Sequence, residues 1–132
     1  MPFQTTFSQL PGGVRYLRLE TSGRFSREDA EALIQQMNPG GELHGLPILL
    51  LTEKLESVGS EARALFARRG DTAKDPWIAA VVANPVVRVT LNFLKRVQKQ
   101  NNKRMMFANE PAALQWLDAR VREDRAEGAG TR

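Results

Sequence analysis

Residues 46–69 read LPILLLTEKLESVGSEARALFARR and join an unbroken apolar run to a short amphipathic segment. The run Ile48–Leu51 is too short for a helix that is buried on all sides, so it predicts a strand covered on both faces in the middle of a sheet. A polar turn is expected after it, and Ser60 then begins a helix whose apolar face carries Ala62, Leu65 and Phe66. This order places residues 57–63 at the carboxyl edge of a parallel strand, where open α/β sheets commonly bind their partners.

The N-terminal segment predicts an antiparallel hairpin followed by a helix. Residues 3–8 and 14–21 alternate between apolar and polar side chains, and Pro11-Gly12-Gly13 between them is typical of a turn. Gly23 is expected to end the second strand. Ser26-Arg27-Glu28-Asp29 resembles a capping box, and the helix that it begins has an apolar stripe of Ala30, Leu33, Ile34 and Met37.

The C-terminal half predicts two more strands, each followed by a helix. Residues 77–83 form a second apolar run, and Asn84-Pro85 after it is a strong helix start, because Asn caps and Pro tolerates the first helical position. Residues 103–108 predict a short strand, and the last helix is expected to begin at Asn109-Glu110-Pro111 and to end near Val121.

The resulting order is ββαβαβαβα, an α/β fold with a mixed sheet of about five strands, an N-terminal hairpin and four covering helices. Residues 1–121 are predicted to form a single domain. Residues 122–132 are charged and rich in Gly and Ala, and are predicted to be a disordered tail.

Composition excludes several classes of function. The chain has 132 residues and no cysteine, so it lacks disulfides, a thiolate nucleophile and a zinc ribbon. His44 is the only histidine, and no catalytic constellation, metal site or cofactor motif is recognised. We find no signal peptide and no apolar run long enough to span a bilayer, so a cytoplasmic protein is expected. The basic residues Lys95, Arg96, Lys99, Lys103 and Arg104 are not interleaved with aromatics, which argues against nucleic-acid binding.

Several segments together resemble the STAS domain, and more narrowly the SpoIIAA-like group of small single-domain bacterial proteins. The likeness is carried by GRFSREDAEAL, ILLLTEKLESVGSEARALF, WIAAVVANPVVRVTLNFLKR and FANEPAALQWL, in this order, over about residues 3–121. The resemblance implies the fold of anti-sigma-factor antagonists and a function in protein–protein interaction.

One position departs from the regulatory members that this chain resembles. Those members have Asp-Ser-Ser-Gly at the start of the second helix, and a kinase phosphorylates the serine before the glycine. The corresponding residues here are Gly59-Ser60-Glu61-Ala62, so Glu61 falls on the phosphorylated position. A phosphoserine switch is therefore not expected, and a fixed negative charge at the helix N-terminus takes its place.

Two surfaces are candidates for binding. The first is a partner-docking edge made of Glu53, Ser57, Ser60, Glu61, Arg63 and Asn84, although Ser60 is also a typical N-cap. The second is an apolar flank of the helix that follows Pro85, formed by Val87, Leu91 and Leu94. This flank is either buried more deeply than usual or used for self-association or an apolar ligand.

The leading hypothesis is a non-enzymatic STAS-like module that binds an unidentified protein partner, with homodimer formation as a subsidiary prediction. The alternative is a carrier or sensor of an apolar, lipid-like small ligand, because STAS-like folds resemble lipid-transfer domains in topology and the apolar flank offers a possible wall.

Overall fold

The computed structural model describes residues 3–38, 40–41, 46–69, 77–82, 84–97 and 104–130, and describes only the backbone of residues 67, 69, 86, 93–97 and 125–130. Within these residues the order of elements is ββαβαβαβα, as predicted. The elements are β1 (Phe3–Gln9), β2 (Arg15–Phe25), α1 (Arg27–Met37), β3 (Ile48–Val58), α2 (Ser60–Arg69), β4 (Ile78–Val81), α3 (Pro85–Val97), β5 (Arg104–Phe107) and α4 (Glu110–Gly130).

The described strands form one mixed sheet in the order β1-β2-β3-β4-β5. The strands β1 and β2 pair antiparallel, and every later neighbour pairs parallel. Ile48–Leu51 pairs with Ile78–Val81, so the two apolar runs are neighbours in the interior of the sheet.

The helices divide between the two faces of the sheet. One core cluster contains buried residues of α1, α2 and α3, including Leu33, Ala62 and Val87. The other contains Ala113, Leu117 and Val121 of α4, packed with Leu49 and Ala79 of the sheet. We call these two sides the three-helix face and the α4 face.

The strand β3 is longer than expected. A polar turn was predicted after Leu51, but the strand continues to Val58 because β2 pairs with it as far as Phe25. Gly23 does not end β2 either. It has a positive φ of 63° beside a shift in register, so it forms a bulge through which the pairing continues.

The first helix begins as the capping box predicts. The Ser26 hydroxyl oxygen accepts a hydrogen bond from the Asp29 N–H, and the Asp29 carboxylate accepts one from the Ser26 N–H at 2.8 Å. The Asn84 carbonyl likewise accepts a bond from the Arg88 N–H at 3.0 Å, which confirms the predicted start of α3.

The last helix extends beyond its predicted end near Val121 and continues to Gly130. Ion pairs explain part of the difference, since Arg122 binds Asp118 at 3.0 Å and Arg120 binds Glu123 at 2.7 Å along the helix. The indole N–H of Trp77 also donates to Asp124. These contacts reach residues 122–124 of the predicted tail, and the division into a domain at 1–121 and a tail at 122–132 stays a prediction.

Polar contacts fix α4 against the N-terminal hairpin. The Asp118 carboxylate accepts a hydrogen bond from the Gly12 N–H at 3.1 Å. Arg18 of β2 binds Glu110, at the start of α4, at 2.6 Å and Glu20 at 3.2 Å. Burial lowers the pKa of the Arg18 guanidinium, but the two carboxylates outweigh it and raise that pKa above its ordinary value.

Candidate ligand cavity and docking edge

The residues of the predicted docking edge lie at different levels of the sheet, because β3 is much longer than β4. Its pairing with β4 ends at Leu51, and β3 continues seven residues further to Val58. That overhang corresponds to about 23 Å of extended strand, at about 3.3 Å per residue. Asn84, which follows β4, therefore does not lie at the same level of the sheet as Ser60. Glu53 is within the strand, not in a turn.

The overhanging ends of β2 and β3 carry the N-termini of α1 and α2 side by side. The Gly59 N–H donates to the Phe25 carbonyl at 2.9 Å, which joins the two strand ends. The Arg27 guanidinium lies 2.9 Å from Glu31 and 3.9 Å from Glu61. The hydrogen bond with Glu31 and the negative charges of Glu31 and Glu61 raise the pKa of exposed Arg27 above its ordinary value.

Ser60 is not the N-cap of α2. The Gly59 carbonyl accepts the first helical hydrogen bond from the Arg63 N–H at 2.9 Å, so Gly59 is the N-cap and Ser60 is the first helical residue. Both Ser60 and Glu61 are exposed, and Ser57 is half-buried on β3.

Arg63, assigned to the docking edge by its sequence position, is half-buried on α2. Its Nε atom is buried, and it has no hydrogen-bond partner within the described part of the chain. A buried donor of this kind is costly to leave unpaired. The contribution of Arg63 to the docking edge stays a prediction.

Two residues of the predicted apolar flank of α3, Val87 and Leu91, face inward. Val87 is only 1% exposed and belongs to the core, and Leu91 packs against the same cluster. Among the described side chains of α3, the apolar one that is exposed is Val89, at 69%. The apolar arc of α3 extends too far around the helix for its periodicity to show which part meets the sheet. Leu94 is in α3, but its side chain lies outside the described residues, as do those of Lys95 and Arg96 in the basic cluster.

A cavity of about 160 Å³ lies on the three-helix face. Its floor consists of two rows of side chains that run across neighbouring strands in register. The first row is Ile48, Ile78 and Arg104, and the second is Leu19, Leu50, Ala80 and Met106.

The helices supply the remaining walls of the cavity. They contribute Leu33 and Met37 from α1, Phe66 from α2 and Leu91 from α3. Leu91 is thus the residue of the predicted flank that reaches a candidate ligand site.

The two hydroxyl groups in the cavity wall are already engaged with the backbone. Thr21 donates to the Leu51 carbonyl at 2.9 Å, and Thr52 donates to the Val81 carbonyl at 2.7 Å. The Leu51 carbonyl lies where the pairing of β2 with β3 shifts register, and the Val81 carbonyl lies at the end of β4. The two hydroxyls therefore satisfy carbonyls at interruptions of the sheet. The cavity therefore offers few polar partners away from Arg104, and its chemistry is that of an apolar site.

Sequence reasoning did not find this cavity. Two residues in the sequence are related to it. Ala80 is a small side chain in a buried strand. Arg104 is a cation that the alternation of side chains along β5 directs to the same face as Ala80 and Met106. We had assigned Arg104 to a basic cluster; of the rest of that cluster, Lys99 and Lys103 fall outside the described residues.

The described residues carry neither a cluster of metal ligands nor a helix suited to a bilayer. No group of three or more acidic, histidine or cysteine side chains there is arranged to hold a metal ion. Among the helices of the described chain, none combines the length and apolar character needed to cross a membrane.

Comparison with solved structures supports the fold. The chain is similar to an uncharacterised protein from the DUF3478 family with a SpoIIAA-like fold from Shewanella loihica PV-4. The TM-score is 0.62 at 15% sequence identity, over 87% of this chain and 93% of the other. This likeness confirms the SpoIIAA-like fold that the sequence resemblance implied.

Comparison by sequence gives the family. No curated protein matches the chain. A family model described as a domain of unknown function (DUF7793) matches residues 9–120. Since that match covers most of the 132 residues, the chain belongs to the DUF7793 family.

Proposed function

We propose that this protein is a non-enzymatic STAS-like module that binds a small apolar ligand in the cavity of the three-helix face. The observation that carries the proposal is the cavity itself, because its lining is almost entirely apolar and ligand pockets are lined predominantly by apolar side chains.

The lining favours an apolar occupant over water. A buried water requires two to four polar partners, and the threonine hydroxyls here already donate to backbone carbonyls. An engineered apolar cavity of about 150 Å³ in another protein stays dry and binds benzene. A ligand with an apolar body of about six carbon atoms therefore fits this volume.

Binding of 1-hexanol and toluene, followed by NMR chemical shifts and by thermal unfolding, tests the proposal. We expect both probes to raise the melting temperature and to shift the signals of Leu50, Ala80 and Leu91. Ala80→Leu fills part of the cavity and should weaken binding about tenfold or more. Val89→Leu adds a similar apolar side chain on the exposed side of α3 and should have no effect.

Two results would overturn this function. One is the absence of binding by either probe at millimolar concentration, together with no co-purifying small molecule in native mass spectrometry. The other is equal binding by Ala80→Leu and the wild type, which would place the bound probe elsewhere on the protein.

Docking of a protein partner is the second candidate function. It is supported by the exposed side chains of Ser60 and Glu61 beside the hydrogen bond that joins Gly59 to Phe25, and by Glu53, which is exposed further back on β3. Because Glu61 occupies the position of the phosphorylated serine in the regulatory proteins, we propose docking without a phosphorylation switch. Asn84 remains a proposed contact at a separate level of the sheet.

Crosslinking in cells of the native host tests this docking surface. The wild type is compared with Glu61→Lys. The charge reversal should remove a specific crosslinked species, and the matched reversal Glu123→Lys on α4 should retain it. An unchanged crosslinking pattern in Glu61→Lys would refute docking at this end of the molecule.

Homodimer formation and a cytoplasmic location stay predictions. The burial of Val87 removes the centre of the flank first assigned to self-association. Sedimentation of the wild type at high micromolar concentration tests the dimer, and a single monomeric species would refute it.

A further inference from the structure

We infer that the ligand of the cavity is an unbranched alkyl chain that lies along β3, from the level of Ala80 toward Phe25. This inference rests on the proposed function and specifies the chemical class of the ligand. The lining follows β3 for nearly the whole length of the strand, through Ile48, Leu50, Thr52, Leu55 and Val58.

The cavity is longer than a compact cavity of its volume would be. Leu19 and Phe25 of β2 both line it, and they lie about 20 Å apart along the strand, at about 3.3 Å per residue. A sphere of about 160 Å³ would be only about 7 Å across. Side chains at the two ends shorten the space, but a rounded cavity of this volume could not contact both of them. The cavity is therefore long and narrow.

The register of the sheet shows which residues a ligand meets along this length. Leu50 pairs with Ala80 at one level, and Leu55 lies further along β3, where the pairing with β2 continues. Thr21 and Thr52 line the cavity between these levels, and their hydroxyl hydrogens are committed to backbone carbonyls. The path from Ala80 to Leu55 therefore favours contact with methylene groups over contact with polar groups.

A linear chain is the apolar shape that fills a long and narrow cavity. Each methylene group that it places along the cavity leaves water, and this increases affinity about fourfold per carbon atom. A ring with the same number of carbon atoms is wider and contacts only one level of the sheet. Met106, in the floor row with Ala80, has an unbranched side chain that adapts to the outline of an apolar ligand.

A row of separate small voids along the same strands makes a different prediction. Each void would hold at most one compact molecule, so a longer chain would gain no affinity over a shorter one.

Isothermal titration of 1-hexanol, 1-octanol and cyclooctanol tests the inference. We expect 1-octanol to bind about fifteenfold more tightly than 1-hexanol, because two further methylene groups are buried. Cyclooctanol has the carbon number of 1-octanol in a ring and should bind no more tightly than 1-hexanol. In the wild type, intermolecular NOEs from bound 1-octanol should reach the methyl groups of both Ala80 and Leu55.

A matched pair of variants tests the direction of the chain. Leu55→Phe narrows the cavity beyond the threonines and should weaken the binding of 1-octanol about tenfold, while the affinity for 1-hexanol changes less than about twofold. Leu114→Phe makes the same exchange on the α4 face, outside the lining, and should bind both alcohols like the wild type. Retained binding of 1-hexanol shows that Leu55→Phe is folded, and the NOEs of the wild type decide if it is not.

The possible outcomes separate the inference from the function on which it rests. Equal affinity for 1-octanol and 1-hexanol, or for 1-octanol and cyclooctanol, overturns the linear chain and leaves a small apolar site. An equal loss of both linear alcohols in Leu55→Phe, or NOEs confined to Ala80, does the same. If neither linear alcohol binds the wild type, both the inference and the proposed function are overturned.

Discussion

The two faces of the sheet are built from alternate residues of the same strands, but they are covered differently. On the α4 face, a single helix lies across β3, β4 and β5, and Ala113 and Leu117 are fully buried there with Leu49 and Ala79. On the three-helix face, α1, α2 and α3 cover the strands, and a cavity of about 160 Å³ remains. Neighbouring residues of β4 thus meet a closed core on one side and open volume on the other.

The difference follows from how each cover is attached. Small residues on both partners, Ala79 and Ala113, let α4 approach the sheet closely, and hydrogen bonds and ion pairs hold both Glu110 and Asp118 in place. On the other face, α1 and α2 begin at the overhanging ends of β2 and β3, whereas α3 begins after the short strand β4. The volume that Ala80 leaves is bordered by Leu33, Phe66 and Leu91 but is not filled by them.

Truncation of a leucine on each face should give the largest contrast. Leu117→Ala removes a fully buried side chain from the closed face and should lower the free energy of unfolding by roughly 3–5 kcal/mol. Leu50→Ala acts on a half-buried residue that already borders the cavity, so about 2 kcal/mol is expected. Urea unfolding of both variants measures the difference. Equal losses would show that the two faces are packed alike.

Enlargement of adjacent alanines in β4 should have opposite effects. Ala79 is 0% exposed beneath α4, so Ala79→Leu should destabilise the protein by about 1–3 kcal/mol through overpacking. Ala80, at 6% exposure, borders the cavity, and Ala80→Leu should raise the free energy of unfolding by roughly 0.5–2 kcal/mol. Thermal and urea unfolding measure both changes. A strong destabilisation by Ala80→Leu would contradict an open cavity in the folded protein.

The comparison also shows how far the sequence alone leads. The apolar runs Ile48–Leu51 and Ile78–Val81 predict buried parallel strands, and their position side by side follows from the order of elements. The capping box at Ser26 and the Asn84-Pro85 pair predict two helix starts correctly, because capping depends on adjacent residues. These features are local or follow from general rules of topology.

Features that depend on distant segments were not predictable in the same way. Residues 52–58 have the composition of a polar turn, and they are a strand because β2 pairs with them through Phe25. The apolar residues of α3 extend around so much of the helix that they do not predict whether Val87 or Val89 is buried. Contact of the helix with the rest of the core buries Val87 and leaves Val89 exposed. The cavity depends on where three helices lie relative to each other, which no single segment encodes.

The contact between α4 and the N-terminal hairpin tests why the α4 face is closed, with a smaller expected change in stability. Asp118→Ala removes the acceptor of the Gly12 N–H and the partner of Arg122, and it should cost about 1–2 kcal/mol. Asp118→Asn keeps an acceptor and should cost about half as much. Hydrogen exchange should also become faster at the Gly12 amide. An unchanged Gly12 amide in Asp118→Ala would show that the turn is fixed independently of α4.

The starts of α1 and α2 provide the smallest contrast, within the three-helix face. Ser26 is the N-cap of α1 and bonds Asp29, so Ser26→Ala should lower the free energy of unfolding by about 1 kcal/mol. Ser60 is the first helical residue of α2, where Gly59 already is the cap, so Ser60→Ala should change stability by less than about 0.5 kcal/mol. Urea unfolding separates the two variants. Since Ser60 then contributes little to stability, any loss of partner binding in Ser60→Ala would be attributable to contact with the partner. A loss of stability equal to that of Ser26→Ala would instead show that Ser60 acts as a cap.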